Sequence, residues 1–328
     1  MRQHPHVLAL GLVLVLNPPA PASDPALVAA IQVGGNWDIA LVDPAAHRPP
    51  VRLTDRPEQD RFPLWSPDRS RLAFGSKVND RWELWVMAAD GSHQRRLAPE
   101  MVAKSSRSWS ADGRRILFAA GDRDHGRICL VDVDAGTITR ITSDSVDALD
   151  PAWSPDGRRI AYTAARPDGS RIMMVDLETG AETPLTDGMG SEGRAAWSPR
   201  GDRLVITSTR QGPRQIFLVR PDGSGLRPLT AFVTTEVFAT WSPDGRRVAV
   251  QTVTGENYDV VVVDVATARR TPVGASPEYD GQAAWSPDGA ALALVSSGTG
   301  REALYRAAAD GSGITRITDL PTLDPDWR

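Results

Sequence analysis

The chain has 328 residues, of which 24% are charged and 41% hydrophobic, with a formal net charge of −4. This length and balance exclude a mini-protein and a disordered tail, because enough apolar residues are present to form a sizeable core. The single cysteine, Cys129, excludes an intramolecular disulfide framework and a cysteine-rich zinc site. The acidic balance argues against a generic nucleic-acid binder. Ten tryptophans stand against four tyrosines and six phenylalanines, which is an unusual aromatic composition.

Residues 1–22 are predicted to be a secretory signal peptide. Arg2 precedes an apolar run from Val7 to Leu16, and Ala20-Pro-Ala22 follows as an Ala-x-Ala cleavage signature. The run is too short to span a bilayer, which takes about 20 helical residues. We therefore expect one domain over residues 23–328, located in the periplasm or outside the cell. The alternative is that the apolar run is a buried strand or helix of that domain.

Tryptophan recurs every 44 residues through most of the chain. The six members of this series are Trp65, Trp109, Trp153, Trp197, Trp241 and Trp285. Each is followed by Ser-Pro-Asp-Gly or by a sequence that departs from it at one place. Serine first, proline second and glycine fourth favour a type I β-turn. Each tryptophan is therefore predicted to end one strand, and each turn to begin the next.

Each repeat contains four short β-prone runs, such as Ile160-Ala-Tyr162 and Ile172-Met-Met-Val175. Four short strands in about 44 residues are typical of a β-propeller blade. The apolar residue of the fourth run occurs seven times between Leu53 and Ile317, and the first of these units lacks a tryptophan turn. We expect Leu323-Asp-Pro-Asp-Trp327 to supply its missing strand. The prediction is an all-β, seven-bladed propeller of four-stranded antiparallel blades, closed by the C-terminal strand in the N-terminal blade; six or eight blades are the alternatives.

The repeats resemble WD40-like propellers of the TolB type. The likeness is carried by the Trp-Ser-Pro-Asp-Gly turns at Trp153, Trp241 and Trp285, by the Ile-Ala-Tyr type of strand and by the closing Arg-Ile-Thr. It covers residues 27–327 and implies a propeller fold and the periplasmic compartment of the Tol–Pal envelope system. The same repeat occurs in propellers attached to prolyl-oligopeptidase-like peptidases. A full TolB carries a separate domain before a six-bladed propeller, so the resemblance is to the propeller and transfers no residue role.

Candidate binding residues are expected in the loops at one mouth of the central channel. The seven loops that enter the first strands hold fifteen acids and five bases, which predicts an acidic rim for cationic partners unless neighbouring arginines neutralise it. Aromatic residues beside charges are typical of interface anchors, although packing between blades is the alternative. The candidates are Phe62, Trp82, Asp147, Asp150, Arg194, Phe238, Asp280 and Asp324.

The sequence contains no convincing enzyme constellation. By strand order, His47 and His93 fall on the opposite face from His125, and no Gly-x-Ser-x-Gly motif occurs. We predict a non-catalytic scaffold that binds a protein or peptide of the cell envelope, acts as a monomer, and has no nucleic-acid partner, membrane span, metal ligand or cofactor. The alternative is a channel-mouth lyase or hydrolase that acts on a saccharide or small ester with carboxylate-bound Ca²⁺. The pairs Asp147 with Asp150 and Asp324 with Asp326 would supply such carboxylates.

Overall fold

The computed structural model describes residues 27–100, 106–121, 125–143, 147–230, 234–274, 279–298 and 302–328. Within these ranges 28 strands form seven four-stranded antiparallel sheets. The same ranges contain no helix with the length and apolarity needed to cross a bilayer. The predicted signal peptide, residues 1–22, lies outside the described residues.

Each sheet is one blade of the ring, and we number the blades 1 to 7 from the N-terminus. Within a blade the strands follow chain order from the channel outward, except that β28 is the first strand of blade 1. The innermost strands of blades 1 to 7 are β28 (Thr322–Trp327), β4 (Gln59–Trp65), β8 (Ser108–Trp109), β12 (Ala148–Trp153), β16 (Glu192–Trp197), β20 (Thr235–Trp241) and β24 (Asp280–Trp285).

In blades 1 to 4 and blade 6 the two middle strands are the longest of the sheet. The second strands are β1 (Leu27–Val33), β5 (Arg71–Val78), β9 (Arg115–Gly121), β13 (Arg159–Arg166), β17 (Leu204–Ser208), β21 (Arg247–Thr254) and β25 (Ala291–Ser296). The third strands are β2 (Asn36–Val42), β6 (Arg81–Ala88), β10 (Gly126–Asp132), β14 (Gly169–Asp176), β18 (Gln215–Val219), β22 (Asn257–Asp264) and β26 (Ala303–Ala308). The outermost strands are β3 (Val51–Arg52), β7 (Arg95–Ala98), β11 (Ile138–Arg140), β15 (Glu182–Pro184), β19 (Arg227–Pro228), β23 (Arg270–Val273) and β27 (Ile314–Arg316).

A turn of the predicted type follows the tryptophan in blades 2 to 7. In blade 3, the N–H of Gly113 donates to the carbonyl of Ser110 at 2.9 Å, and the Ser110 hydroxyl donates to Asp112 at 2.6 Å. The backbone bond recurs in all six turns. Blade 5 has Arg200 in place of the aspartate, and there the Ser198 hydroxyl donates to Asp202 at 2.7 Å instead. The turn chemistry predicted from the repeat is confirmed.

The tryptophan rings fill the gaps between neighbouring blades. The indole N–H donates to a carbonyl of the preceding innermost strand, at a sequence separation of 45 residues, in Trp109, Trp241 and Trp285. Aliphatic and aromatic residues of the middle strands pack around each ring, so the core is divided into layers between blades. The repeated tryptophan is therefore an architectural residue.

The two ends of the described chain meet in blade 1. Strand β28 pairs antiparallel with β1, and Trp327 lies opposite Leu27. The Asp326 carboxylate accepts the N–H of Trp65 at 2.7 Å, which joins the closing strand to blade 2. The seven-bladed fold and its predicted closure are both confirmed.

Candidate binding site in the central channel

Six of the seven innermost strands carry a bulge near their middle. At each bulge the pairing with the second strand skips two residues, and the residue three positions before the tryptophan lies in the skipped pair. Including the equivalent Ser106 of blade 3, these residues are Phe62, Ser106, Asp150, Arg194, Phe238, Gln282 and Asp324. Innermost strands line the channel of a propeller. We call this set the channel belt.

The backbone is strained at most of the belt. Positive φ angles between 50° and 60° occur at Phe62, Asp150, Arg194, Gln282 and Asp324. This left-handed conformation costs any residue with a Cβ, whereas glycine adopts it freely. None of the seven belt positions is glycine. The belt therefore keeps side chains at positions where the backbone alone favours glycine.

One arc of the belt, in blades 1 and 2, is closed by its own contacts. Arg61 donates two hydrogen bonds to the Asp324 carboxylate, at 2.9 and 3.2 Å, and the N–H of Phe62 donates to the same group at 3.3 Å. The guanidinium groups of Arg61 and Arg107 lie 4.8 and 4.9 Å from the centre of the Phe62 ring. The Trp82 ring packs on Phe62 at 5.0 Å. The aromatic surface of Phe62 is therefore covered by the protein itself.

Arg107 is the second cation of this closed arc, and like Arg61 it is half-buried. Burial lowers the pKa of its guanidinium to about 10, and the negative charge of Asp324 acts in the opposite direction. The group remains a cation at neutral pH. Its charge therefore adds to that of Arg61 around Phe62 and Asp324.

The opposite part of the belt is open. The Arg194 guanidinium lies 4.3 Å from the centre of the Phe238 ring and 4.0 Å from the Asp150 carboxylate. Asp150 accepts the N–H of Ser106 at 3.1 Å. Phe238 is 48% exposed, so about half of its surface is accessible. In blade 7, the Gln282 side-chain oxygen accepts the N–H of Asp324 at 2.8 Å.

Several predicted rim acids are in fact interior groups. Asp60, Glu192, Glu236 and Asp280 are at most 1% exposed. Asp60 pairs with Arg56 at 2.8 Å, and Glu192 shares Arg210 with Asp187. The prediction of an exposed acidic rim is therefore wrong for these groups, because the start of each innermost strand turns its side chain between blades. The alternative, neutralisation by arginines of the loops between second and third strands, applies to Glu192, which pairs with Arg210.

Burial also changes how two of these acids titrate. It raises the pKa of Asp60, against the Ser76 hydroxyl and the charge of Arg56. It raises the pKa of Glu236 as well, against hydrogen bonds from the Thr230 hydroxyl and a backbone N–H. Both carboxylates are removed from the exposed surface of the mouth.

The structure brings five of the eight predicted residues into one belt: Phe62, Asp150, Arg194, Phe238 and Asp324. Trp82 packs against one of them, Phe62. Asp147 is half-buried before β12 and Asp280 is fully buried in β24, so both lie apart from the belt positions. Any ligand contact by these eight residues stays a prediction.

Sequence reasoning missed Ser106, Gln282, Trp37 and Arg107. Ser106 and Gln282 are neutral, so a search for charged residues does not find them. Both nevertheless belong to the series of positions that starts at Phe62 and recurs every 44 residues. Trp37 lies 5.4 Å from the Arg61 guanidinium, a contact that only the folded ring reveals. Among the described residues, no group of three or more His, Cys, Asp or Glu side chains is placed to hold a metal ion.

Comparison with known proteins agrees with this architecture. Residues 127–252 match the family model described as the TolB beta propeller domain. No curated protein sequence matches the chain. The family match therefore covers fewer than half of the residues of the chain, within blades 3 to 6.

Solved structures show the same fold at low identity. TolB from Acinetobacter baumannii is 18% identical over 97% of this chain and 88% of its own, with a TM-score of 0.59. An oligogalacturonate lyase in complex with manganese is 15% identical over 90% of this chain and 85% of its own, with a TM-score of 0.66. A puromycin-hydrolyzing peptidase of Mycobacterium tuberculosis is 16% identical over 90% of this chain but 54% of its own, with a TM-score of 0.69. These similarities show a propeller fold that resembles the TolB type. They assign no role to any residue of this chain.

Proposed function

We propose that this chain is a secreted or periplasmic propeller scaffold that binds a protein or peptide segment through its channel belt, without catalysing a reaction. The likeness to TolB supports a scaffold of this type. The N-terminal pattern of Arg2, the apolar run and Ala20-Pro-Ala22 supports export. A cell-envelope partner and a monomeric state remain predictions.

The observation that carries the proposal is the strain of the belt. Five non-glycine residues hold left-handed backbone angles at one repeated position. Each such residue costs about 1–3 kcal/mol, and strain of this kind clusters at functional sites. A purely structural channel lining would keep its bulges at lower cost with glycine.

The chemistry of the belt supports recognition rather than packing. Aromatic, guanidinium, amide, hydroxyl and carboxylate side chains occupy the belt position, which contributes one residue from each blade. A few polar groups beside apolar surface in a concave opening are typical of binding sites. Phe238, with 48% of its surface exposed, is suited to be a central anchor.

The test is a selection of random decapeptides displayed on phage against the purified chain from residue 23. Affinities of the selected peptides would be measured by fluorescence anisotropy for the wild type, Phe238→Ala and Ile314→Ala. Ile314 is a matched control, because it is 49% exposed on the outermost strand of blade 7. We expect Phe238→Ala to weaken binding at least about tenfold and Ile314→Ala to leave it unchanged. Selection of no peptide, or equal effects of the two variants, would overturn the proposal.

A further inference from the structure

We propose that the open part of the belt recognises a carboxylate group of an extended peptide; this inference rests on the proposed function. The residues concerned are Arg194, Phe238 and Gln282, which occupy the same position in blades 5, 6 and 7. We call them the donor arc. The sequence composition pointed instead to cationic partners, so the inference reverses the expected charge of the ligand.

Arg194 presents hydrogen-bond donors that the protein leaves available. Its guanidinium stands 4.0 Å from Asp150, beyond hydrogen-bond distance, and makes no hydrogen bond to any residue that the structure describes. Arg61, in the closed arc, instead donates two hydrogen bonds to Asp324. A guanidinium has five N–H donors in a rigid fork that matches the two oxygens of a carboxylate. Arg194 is therefore the belt arginine equipped to receive a carboxylate from outside.

The Phe238 ring holds this guanidinium in place. A cation 4.3 Å from the ring centre is attracted by the negative face of the ring. The side chain of Arg194 is 29% exposed, so most of its surface is packed against the protein before a ligand arrives. Such pre-organisation lowers the entropy that is lost when a ligand binds. Phe238 also offers apolar contact to the ligand backbone beside the carboxylate.

Gln282 adds a second donor on the other side of Phe238. Its amide must present oxygen to the N–H of Asp324, because that backbone group is a donor. The amide NH₂ is therefore the part of Gln282 left for a ligand. Arg194 and Gln282 both offer donors, and an ionised carboxylate accepts hydrogen bonds without donating any.

The carboxylates of the belt are already engaged. Asp324 accepts from Arg61 and from the N–H of Phe62, and Asp150 accepts from the N–H of Ser106. A cationic ligand would have to compete with these contacts. A ligand carboxylate meets groups whose donors are still available, so the complementarity favours an anionic group.

The experiment uses the tightest decapeptide from the selection and synthetic versions of it. In one series each Asp or Glu is replaced by Asn or Gln, and in another the C-terminal carboxylate is replaced by an amide. The two series distinguish a side-chain carboxylate from a C-terminal one. Binding is measured to the wild type, Arg194→Ala, Arg194→Lys, Gln282→Ala and the control Arg114→Ala. Arg114 is exposed on a turn at the opposite face of the ring.

We expect loss of one carboxylate to weaken binding to the wild type at least about tenfold, as for a hydrogen bond to a charged group. The same peptide change should have little effect in Arg194→Ala, because the two changes remove one interaction. The effect of the peptide change in Arg194→Lys should lie between its effects in the wild type and in Arg194→Ala. Gln282→Ala should lose affinity for the acidic peptide, and the affinity of Arg114→Ala should match that of the wild type.

Two results would overturn the inference while leaving the proposed function intact. The first is tight belt-dependent binding of peptides that is indifferent to their carboxylates. The second is an equal penalty for carboxylate removal in the wild type and in Arg194→Ala. If the selection yields no peptide, the proposed function and this inference fail together.

Discussion

The middle of each innermost strand and the turn that follows the strand obey opposite rules. At the turn that follows the tryptophan, blades repeat the same side chains and the same hydrogen bonds. At the channel belt, blades repeat the same bulge, but neighbouring blades carry different side chains there, with five residue types over the seven positions. Identical side chains on a repeated backbone indicate architecture. Different side chains on a repeated and strained backbone are what a role in ligand contact, as proposed for the belt, would require.

The carboxylates of the turns and those near the start of the innermost strands have pKa values shifted in opposite directions. A serine hydroxyl and backbone N–H groups lower the pKa of the turn aspartates, that of Asp68 to about 2. Burial raises the pKa of Asp60 and Glu236, which lie between blades near the start of their innermost strands. The turn carboxylates therefore stabilise the fold in their ionised form. Burial disfavours the ionised form of Asp60 and Glu236.

The largest expected effect is on stability, from the architectural tryptophan. Trp285 is 6% exposed and its indole N–H donates to the carbonyl of Thr240 at 3.1 Å. Trp285→Ala should lower the free energy of unfolding in urea by about 3–5 kcal/mol, because it leaves a cavity between blades. Phe238→Ala should lower it by about 1 kcal/mol or less, since that ring is half exposed. Similar losses for the two variants would contradict the division between architecture and recognition.

The second prediction concerns opposite pH dependences. Glu236 has a raised pKa in the fold, so its favourable contribution is complete below its ordinary value of 4.5 and is lost as pH rises through the folded value. The wild type should therefore lose stability relative to Glu236→Gln as the pH is raised. Asp112 has a lowered pKa, through the Ser110 hydroxyl and the N–H of Arg114. Its contribution is present above 3.8 and is lost as pH falls through the folded value.

Urea unfolding of the wild type, Glu236→Gln and Asp112→Asn across pH 3–8 measures both slopes. The wild type should lose its advantage over Asp112→Asn on acidification. Slopes of the same sign for the two variants would show that the buried and turn carboxylates do not differ as described.

The third prediction uses the one turn that lacks its glycine. Arg69 holds a φ of 58° at the position where the other five turns have glycine. Arg69→Gly should raise the free energy of unfolding by about 0.5–1 kcal/mol, because relief of the left-handed conformation exceeds the extra freedom of glycine in the unfolded chain. The matched control is Gly157→Ala, at a φ of 70° with nothing near the added Cβ, which should lose about 1 kcal/mol. A loss of stability in Arg69→Gly would show that its side chain, not its backbone, dominates that turn.

The smallest expected effect on stability comes from the same change in the belt. Arg194→Gly relieves a φ of 53° and loses one ring contact and one distant ion pair. These contributions nearly cancel, so the free energy of unfolding should change by about 1 kcal/mol or less. Binding of the selected acidic peptide, measured by anisotropy, should nevertheless be lost. Retained binding would show that the Arg194 side chain takes no part in recognition.

The sequence predicts the architecture better than the site, for a physical reason. Turns and strands depend on local residues, so Trp-Ser-Pro-Asp-Gly and its 44-residue spacing lead directly to blades and to Trp327 as the closing member. The belt depends on a bulge that redirects one side chain per strand. No local sequence motif predicts this bulge. Phe62, Asp150, Arg194, Phe238 and Asp324 were predicted at the channel mouth because they are charged or aromatic, whereas neutral Gln282 was not.

Charge pairing was the least predictable feature. Loop composition counts Asp60 and Glu192 as exposed acids, yet the first residues of the innermost strands place them between blades against Arg56 and Arg210. Such pairing joins residues of different strands and loops. A shift of one residue in register would have exposed the same acids.

The central claim is that recognition belongs to the channel belt and not to the repeated turns. The most direct test is hydrogen–deuterium exchange of the chain with and without a saturating selected peptide. We predict slower exchange in segments 187–196, 234–240 and 279–284, which contain or border the donor arc, and no change in turns 66–70, 110–114 and 286–290. Protection confined to the turns, with unchanged exchange along the innermost strands, would contradict the account.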